Sequence, residues 1–177
     1  MAVMAEVPRP EARLYERLMA IFPGYRGYKE RELIRETDRL VRDSLYTRMK
    51  RASEALWGAF RAQVASKGYV AEAQRLEALL YRLDALAERV RHAPYGYKPL
   101  FHVVKADEAK LERLLEHDVK LGEGVGRLEA LASSTADKVA RGDDASRELG
   151  EIESLLRELD ARISERDSIL AGMGGGA

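Results

Sequence analysis

Apolar residues in this chain recur at every third or fourth position over most of its length, and nowhere do they alternate with polar residues as a strand would require. A helix turns about 100° per residue, so this spacing gathers the apolar side chains on one face. Without a strand pattern there is no sheet, which excludes doubly wound and barrel folds. The expected fold is all-α: an elongated antiparallel bundle of coiled-coil hairpins, four long helices plus a short N-terminal one, forming a single domain over residues 1–177. There is no internal repeat.

The spacing predicts a short helix over 10–22, opened by Pro10, whose fixed φ suits a first helical position. Leu14, Leu18, Ile21 and Phe22 form its stripe, and Pro23-Gly24-Tyr25-Arg26-Gly27 breaks it. A first hairpin follows over 28–92. Its opening helix carries a seam of Leu33, Leu40, Met49, Ala52, Leu56, Phe60 or Ala59, and Gln63 or Val64, with Gly68 as its stop. Its return helix places Leu76, Leu79, Leu80, Leu83, Leu86 and Val90 on one face, with Trp57 expected to cover the level of Leu79. The segment 93–106 is a connector. A second hairpin spans 107–170, with Asp107 and Asp143 as expected N-caps and a turn at Gly142. Residues 172–177 form a flexible tail.

Short turns make consecutive helices antiparallel neighbours. Residues equidistant from 142 then share a level. Leu121 meets Ile163, Val125 meets Leu159, Leu128 meets Leu156, and Ala132 meets Ile152, all of them apolar pairs. The same rule pairs Asp118 with Arg166 where the seam would otherwise be apolar. An interhelical ion pair, partly buried, is expected there. Such a pair adds little net stability after desolvation but penalises slipped registers.

Composition removes several kinds of chemistry. The 177 residues contain no Cys, so disulfides, thiolate metal sites and Cys nucleophiles are excluded. Lys and Arg total 30 and Asp and Glu total 30, too balanced for a basic nucleic-acid coat. No apolar run reaches the roughly 18 residues that span a bilayer, and Met1–Pro10 lacks the apolar stretch of a signal peptide. A cytoplasmic protein is expected. Asn is absent and Gln occurs only at 63 and 74, a loss of thermolabile side chains that fits a hot habitat. A GC-rich genome gives the same Ala and Arg bias.

Motifs for catalysis are weak. There is no P-loop pattern. Gly122-Glu123-Gly124-Val125-Gly126 contains G-x-G, but no strand precedes it, so tight helix packing or a kink is the better account. The histidines, His92, His102 and His117, show neither H-E-x-x-H nor the Glu-x-x-His of bundle di-iron sites. Glu108, Glu112 and Glu116 form an i, i+4 carboxylate ladder, which reads as a solvated face. In Glu116-His117-Asp118 sequence neighbours point apart on a helix. No catalytic residue, metal ligand, cofactor or small-molecule substrate is predicted.

Two irregular segments carry more information. One is Pro23 to Glu32, and the other is Pro94-Tyr95-Gly96-Tyr97-Lys98-Pro99-Leu100-Phe101-His102. Each joins Pro and Gly with paired tyrosines and a cation, and Tyr and Arg are the residues interfaces favour. Tyr25, Arg26, Tyr28, Lys29, Arg31, Tyr95, Tyr97, Lys98 and Phe101 are therefore the candidate partner-binding residues. The Pro-Gly-Tyr-Arg-Gly-Tyr-Lys-Glu start, the long charged helix after it and the Tyr-Gly-Tyr-x-x-Leu-Phe connector resemble a family of uncharacterised prokaryotic helical proteins. The resemblance covers most of the chain and implies no catalytic residues.

Charge is divided unevenly. Residues 1–100 hold 19 basic and 13 acidic residues, net +6, and residues 101–177 hold 11 and 17, net −6. Either the two hairpins attract each other or subunits stack through opposite faces. The expected function is a non-enzymatic interaction or scaffold protein that docks a partner protein or another copy of itself. The alternative is electrostatic binding to nucleic acid or an anionic membrane through Arg26, Lys29, Arg31, Arg35, Lys50 and Arg51. A metal protein or enzyme built on Glu112, Glu116, His117 or Asp118 ranks third.

Overall fold

The computed structural model describes residues 10–27, 31–68, 70–92 and 108–173. They form five helices and, among the described residues, no strand. These are α1 Pro10–Ile21, α2 Arg31–Lys67, α3 Ala71–His92, α4 Glu108–Arg141 and α5 Ser146–Met173. At 1.5 Å per residue the 37-residue α2 is roughly 56 Å long. No helix among the described residues is long and apolar enough to cross a membrane. The expected cap Asp107 and most of the connector lie outside the described residues.

Helix ends follow from local chemistry. Gly68 closes α2 by donating its N–H to Val64 O at 3.0 Å. At the end of α4, Gly142 sits at φ 78, and its N–H bonds Val139 O while the N–H of Asp143 bonds Lys138 O, both at 3.0 Å. This is the paired 5→2 and 6→1 closure of a Schellman turn, and it needs a residue free to adopt the left-handed region. The turn uses Asp143, whose carboxylate pairs with Arg141. The helix cap expected there moves one residue on. Asp144 accepts from Ser146 N at 2.9 Å and Ser146 Oγ at 2.6 Å, and these bonds hold its pKa below the ordinary value. Helix α5 therefore begins at Ser146.

Helix α2 packs on α3 and α4, α5 packs on the same two helices, and α1 lies on α4. Ion pairs and hydrogen bonds give the sense of each pairing. Between α2 and α3, Arg42 reaches Val90 O, Tyr46 reaches Glu88 and Lys50 reaches Asp84, so numbers rise on one helix as they fall on the other. Between α4 and α5 the same inversion links Asp118 to Arg166 and Lys138 to Glu148. Between α3 and α5, by contrast, Arg82 reaches Glu153 and Arg89 reaches Asp160, an offset of 71 in both cases.

The core is a continuous apolar column through all five helices. On α4 and α5 the expected partners Leu121, Val125, Leu128, Ala132, Ile152, Leu156, Leu159 and Ile163 are all buried. On α2 the seam departs from expectation at one end. Val41 and Leu45 are buried while Leu40 is only half-buried, because Thr37, Asp38 and Arg42 occupy the inward positions there. Ala59 and Gln63 take the seam further on. Phe60 is half-buried, edge-on to Trp57 at 5.5 Å, and Trp57 also hydrogen-bonds Asp84.

The glycine run in α4 has a packing explanation. A Cβ at Gly122 would collide with Ile21 and Phe22 at the end of α1. At Gly124 it would come within 2.8 Å of Leu159 Cδ2 on α5, and at Gly126 within 2.9 Å of Arg48 Nη2 on α2. Three alternate positions thus admit three different helices to the α4 backbone. The Arg48 guanidinium uses that approach to bond Gly122 O at 3.2 Å and Glu129 at 2.8 Å.

A candidate docking bend and the charge cluster beneath it

The bend between α1 and α2 is fixed from below. Tyr25 N–H bonds Phe22 O at 3.0 Å, and the Tyr15 hydroxyl donates to Arg26 O at 2.6 Å. Thr37 Oγ1 donates to Gly27 O at 2.8 Å. Gly27 lies at φ 83, where an L side chain is strained, and a Cβ there would overlap the Tyr15 ring. Burial raises the Tyr15 pKa above its ordinary value, as desolvation of a phenolate must.

Tyr25 was expected to meet a partner, and the structure corrects this. Its ring is 3% exposed, 5.9 Å from the Tyr15 ring and 6.3 Å from Phe22, and its hydroxyl lies 3.3 Å from Asp118 Oδ2. An aromatic ring flanked by two others and backed by a buried carboxylate gains more from the interior than from solvent. Arg26, the next residue, is exposed, and its guanidinium has no carboxylate partner among the described residues. Arg31 opens α2. The Arg31 side chain, Tyr28, Lys29, Tyr95, Tyr97, Lys98 and Phe101 lie outside what is described.

Asp118 and Arg166 stand together. Arg166 Nε donates to Asp118 Oδ1 at 2.7 Å, and Arg166 Nη1 donates to Asp38 Oδ1 at 2.6 Å. Both carboxylates are fully buried, and the Arg166 side chain is 3% exposed, so the site is deeper than the part-buried pair the sequence suggested. Arg42 Nε completes the other side of Asp38 at 2.9 Å, and Arg42 Nη2 approaches Asp167 at 3.6 Å. One guanidinium fork thereby ties α2 to α4 from α5, a geometry lysine could not reproduce.

Sequence reading missed Asp38 and Arg42. The signal was present, since both fall four residues apart on the inward stripe that continues to Leu45 and Met49. An acid and a base on an apolar seam at the level of another such pair mark a shared cluster.

The remaining candidates separate. His117 is buried with Nε2 at 3.0 Å from Glu165 and Nδ1 without a hydrogen-bond partner among the described residues, while Glu112 and Glu116 are exposed. Among the described residues no three His, Asp or Glu side chains gather as a metal site would need. Lys50, counted in the basic patch, is committed to Asp84 at 2.9 Å, and Arg51 is exposed. No family model, no curated protein and no solved structure matches this chain.

Proposed function

We propose that the chain is a non-enzymatic docking protein, an elongated antiparallel bundle of two coiled-coil hairpins that offers the α1–α2 bend to a protein partner. The supporting observation is Arg26. Its backbone carbonyl is clamped by Tyr15, its neighbours Tyr25 and Gly27 are buried, and its charge projects outward. A preorganised cation loses little entropy on binding. Asp38, Asp118, Arg42 and Arg166 beneath it are joined to one another, which favours a frame over a reaction centre.

Capture from native lysate with wild type and Arg26→Glu, with light scattering on each, tests the reading. A partner retained by wild type and lost by Arg26→Glu is expected, and self-association that responds to the same substitution names the partner as a second copy. Equal retention by both proteins, or binding only to DNA with a steep fall in salt, would refute it.

A further inference from the structure

The α3–α5 seam carries a row of arginines at seven-residue spacing, Arg75, Arg82 and Arg89, facing Glu153 and Asp160. Above it lies a cavity of about 290 Å³ whose floor is Leu86, Leu156 and Ala85 and whose rim is Arg82, Arg89, Arg157 and Asp160. The pairing is uneven. Glu153 is approached by three guanidiniums at once, Arg75 at 3.6 Å, Arg82 at 3.4 Å and Arg157 at 3.3 Å. These are longer than good charge-assisted bonds of about 2.7–2.9 Å, and much looser than the 2.6 and 2.7 Å contacts of Arg166.

One carboxylate cannot satisfy three forks. Glu153 balances one of the three charges, Arg75 lies off the cavity, and Asp160 is held by Arg89, which also bonds Ser164. Positive charge is therefore in excess at Arg82 and Arg157, which share Glu153 Oε1 at 3.4 and 3.3 Å and whose side chains are 57% and 64% exposed, over an apolar floor. We infer that this cavity is a phosphoryl site, taking a phosphate monoester whose dianionic head bridges Arg82 and Arg157 and whose apolar body rests on Leu86 and Leu156. Two forked cations match a dianion, and guanidinium geometry suits phosphate oxygens. In this site Glu153 is a competitor for the arginines and not a ligand.

Calorimetric titration with phenyl phosphate and with inorganic phosphate tests this. Phenyl phosphate is expected to saturate the protein and to bind more tightly than inorganic phosphate. The variant R82Q/R157Q, altered only at exposed side chains, should lose affinity by roughly tenfold or more, with an unchanged thermal melt. Glu153→Gln should bind several-fold more tightly, because it releases both arginines; a purely structural ladder would show no such gain. Phosphatidic-acid vesicles run beside the soluble ester distinguish sources. Cosedimentation abolished in R82Q/R157Q assigns the head group to a lipid, and phenyl phosphate binding alone assigns it to a soluble ester. Failure of both probes to bind, or equal binding by wild type and R82Q/R157Q, overturns the proposal.

Discussion

Replacing Arg166 by Met should be among the most damaging single changes in the chain. The side chain is 3% exposed and bridges two carboxylates that are fully buried, Asp38 and Asp118, at 2.6 and 2.7 Å. Methionine fills much of the volume but removes the shared cation from both. Arg42 still serves Asp38, so the larger burden falls on Asp118. Breaking a buried pair by removing one partner costs about 3–5 kcal/mol, because the survivor is left charged without its partner. For a chain of this size that corresponds to roughly 6–20 °C in Tm. Urea unfolding read by circular dichroism, with linear extrapolation, measures the loss. The double variant D118L/R166M removes the stranded charge with its partner and should recover at least about half of it. Arg157→Met, on the surface, serves as a control within about 1 kcal/mol. If Arg166→Met costs no more than the control, the cluster contributes nothing to stability and the reasoning fails.

Three further outcomes follow from the packing and the charges. Gly→Ala in a helix gains about 1 kcal/mol from propensity and overpacking costs about 1–3 kcal/mol. Hence Gly126→Ala, which displaces only the tip of Arg48, should be neutral or stabilising, while Gly122→Ala and Gly124→Ala should lower the urea midpoint; equal effects at all three would contradict the packing. Gly142→Ala forces Cβ into the left-handed region at φ 78 and should cost roughly 1–2 kcal/mol in the same assay, with no compensating space problem. For Asp84, burial pushes the pKa up, but hydrogen bonds from Lys50, Ser53 and Trp57 and the charge of Lys50 outweigh it and hold the group below its ordinary 3.8. A depressed acid contributes stability above its unfolded pKa and loses it as pH falls through the folded value. The hydrogen bond to Asp84 likewise raises Lys50 above 10.5, so its contribution is present below that pH and fades as pH rises further. Asp84→Asn should therefore flatten the acid limb of stability against pH below about 4 and the alkaline limb above about 10, measured by melting across a pH series.

Much of the architecture was legible because period 3.6 is a property of the chain alone. The all-helical character needed only spacing, and the apolar stripes that spacing picks out on α4 and α5 are buried. What escaped depended on a third helix. Asp118 and Arg166 could be aligned by counting from Gly142, but Asp38 joins them from α2, and no arithmetic on one hairpin gives the placement of another. Tyr25 misled for a related reason. In sequence it resembles an exposed interface tyrosine, and only the rings of Tyr15 and Phe22 and the carboxylate of Asp118 make the interior its better environment. The glycines of α4 were read as tight packing or a kink, yet which helix each admits was beyond the sequence. The cap error at Asp143 was local. A Schellman turn consumes the residue after Gly142, so the next aspartate inherits the task.

The opposite charges of the two halves of the chain are accounted for within one molecule. Among the described residues, ion pairs joining residues 1–100 to residues 101–177 include Arg17 with Glu123, Arg48 with Glu129, Arg42 with Asp167, Arg75 and Arg82 with Glu153, and Arg89 with Asp160. In each the cation comes from the first part and the anion from the second. Arg166 with Asp38 reverses this sense, and that pair is wholly buried. Surface pairs add at most about 1 kcal/mol each, so their sorting bears less on stability than on which helices become neighbours. The buried reversal supplies the complementary restraint, since a guanidinium projecting from α5 meets its two buried carboxylates only at one level of α2 and α4. Register between α5 and its neighbours α2 and α4 is thus restrained in the core, beneath surface pairs that join the two parts of the chain.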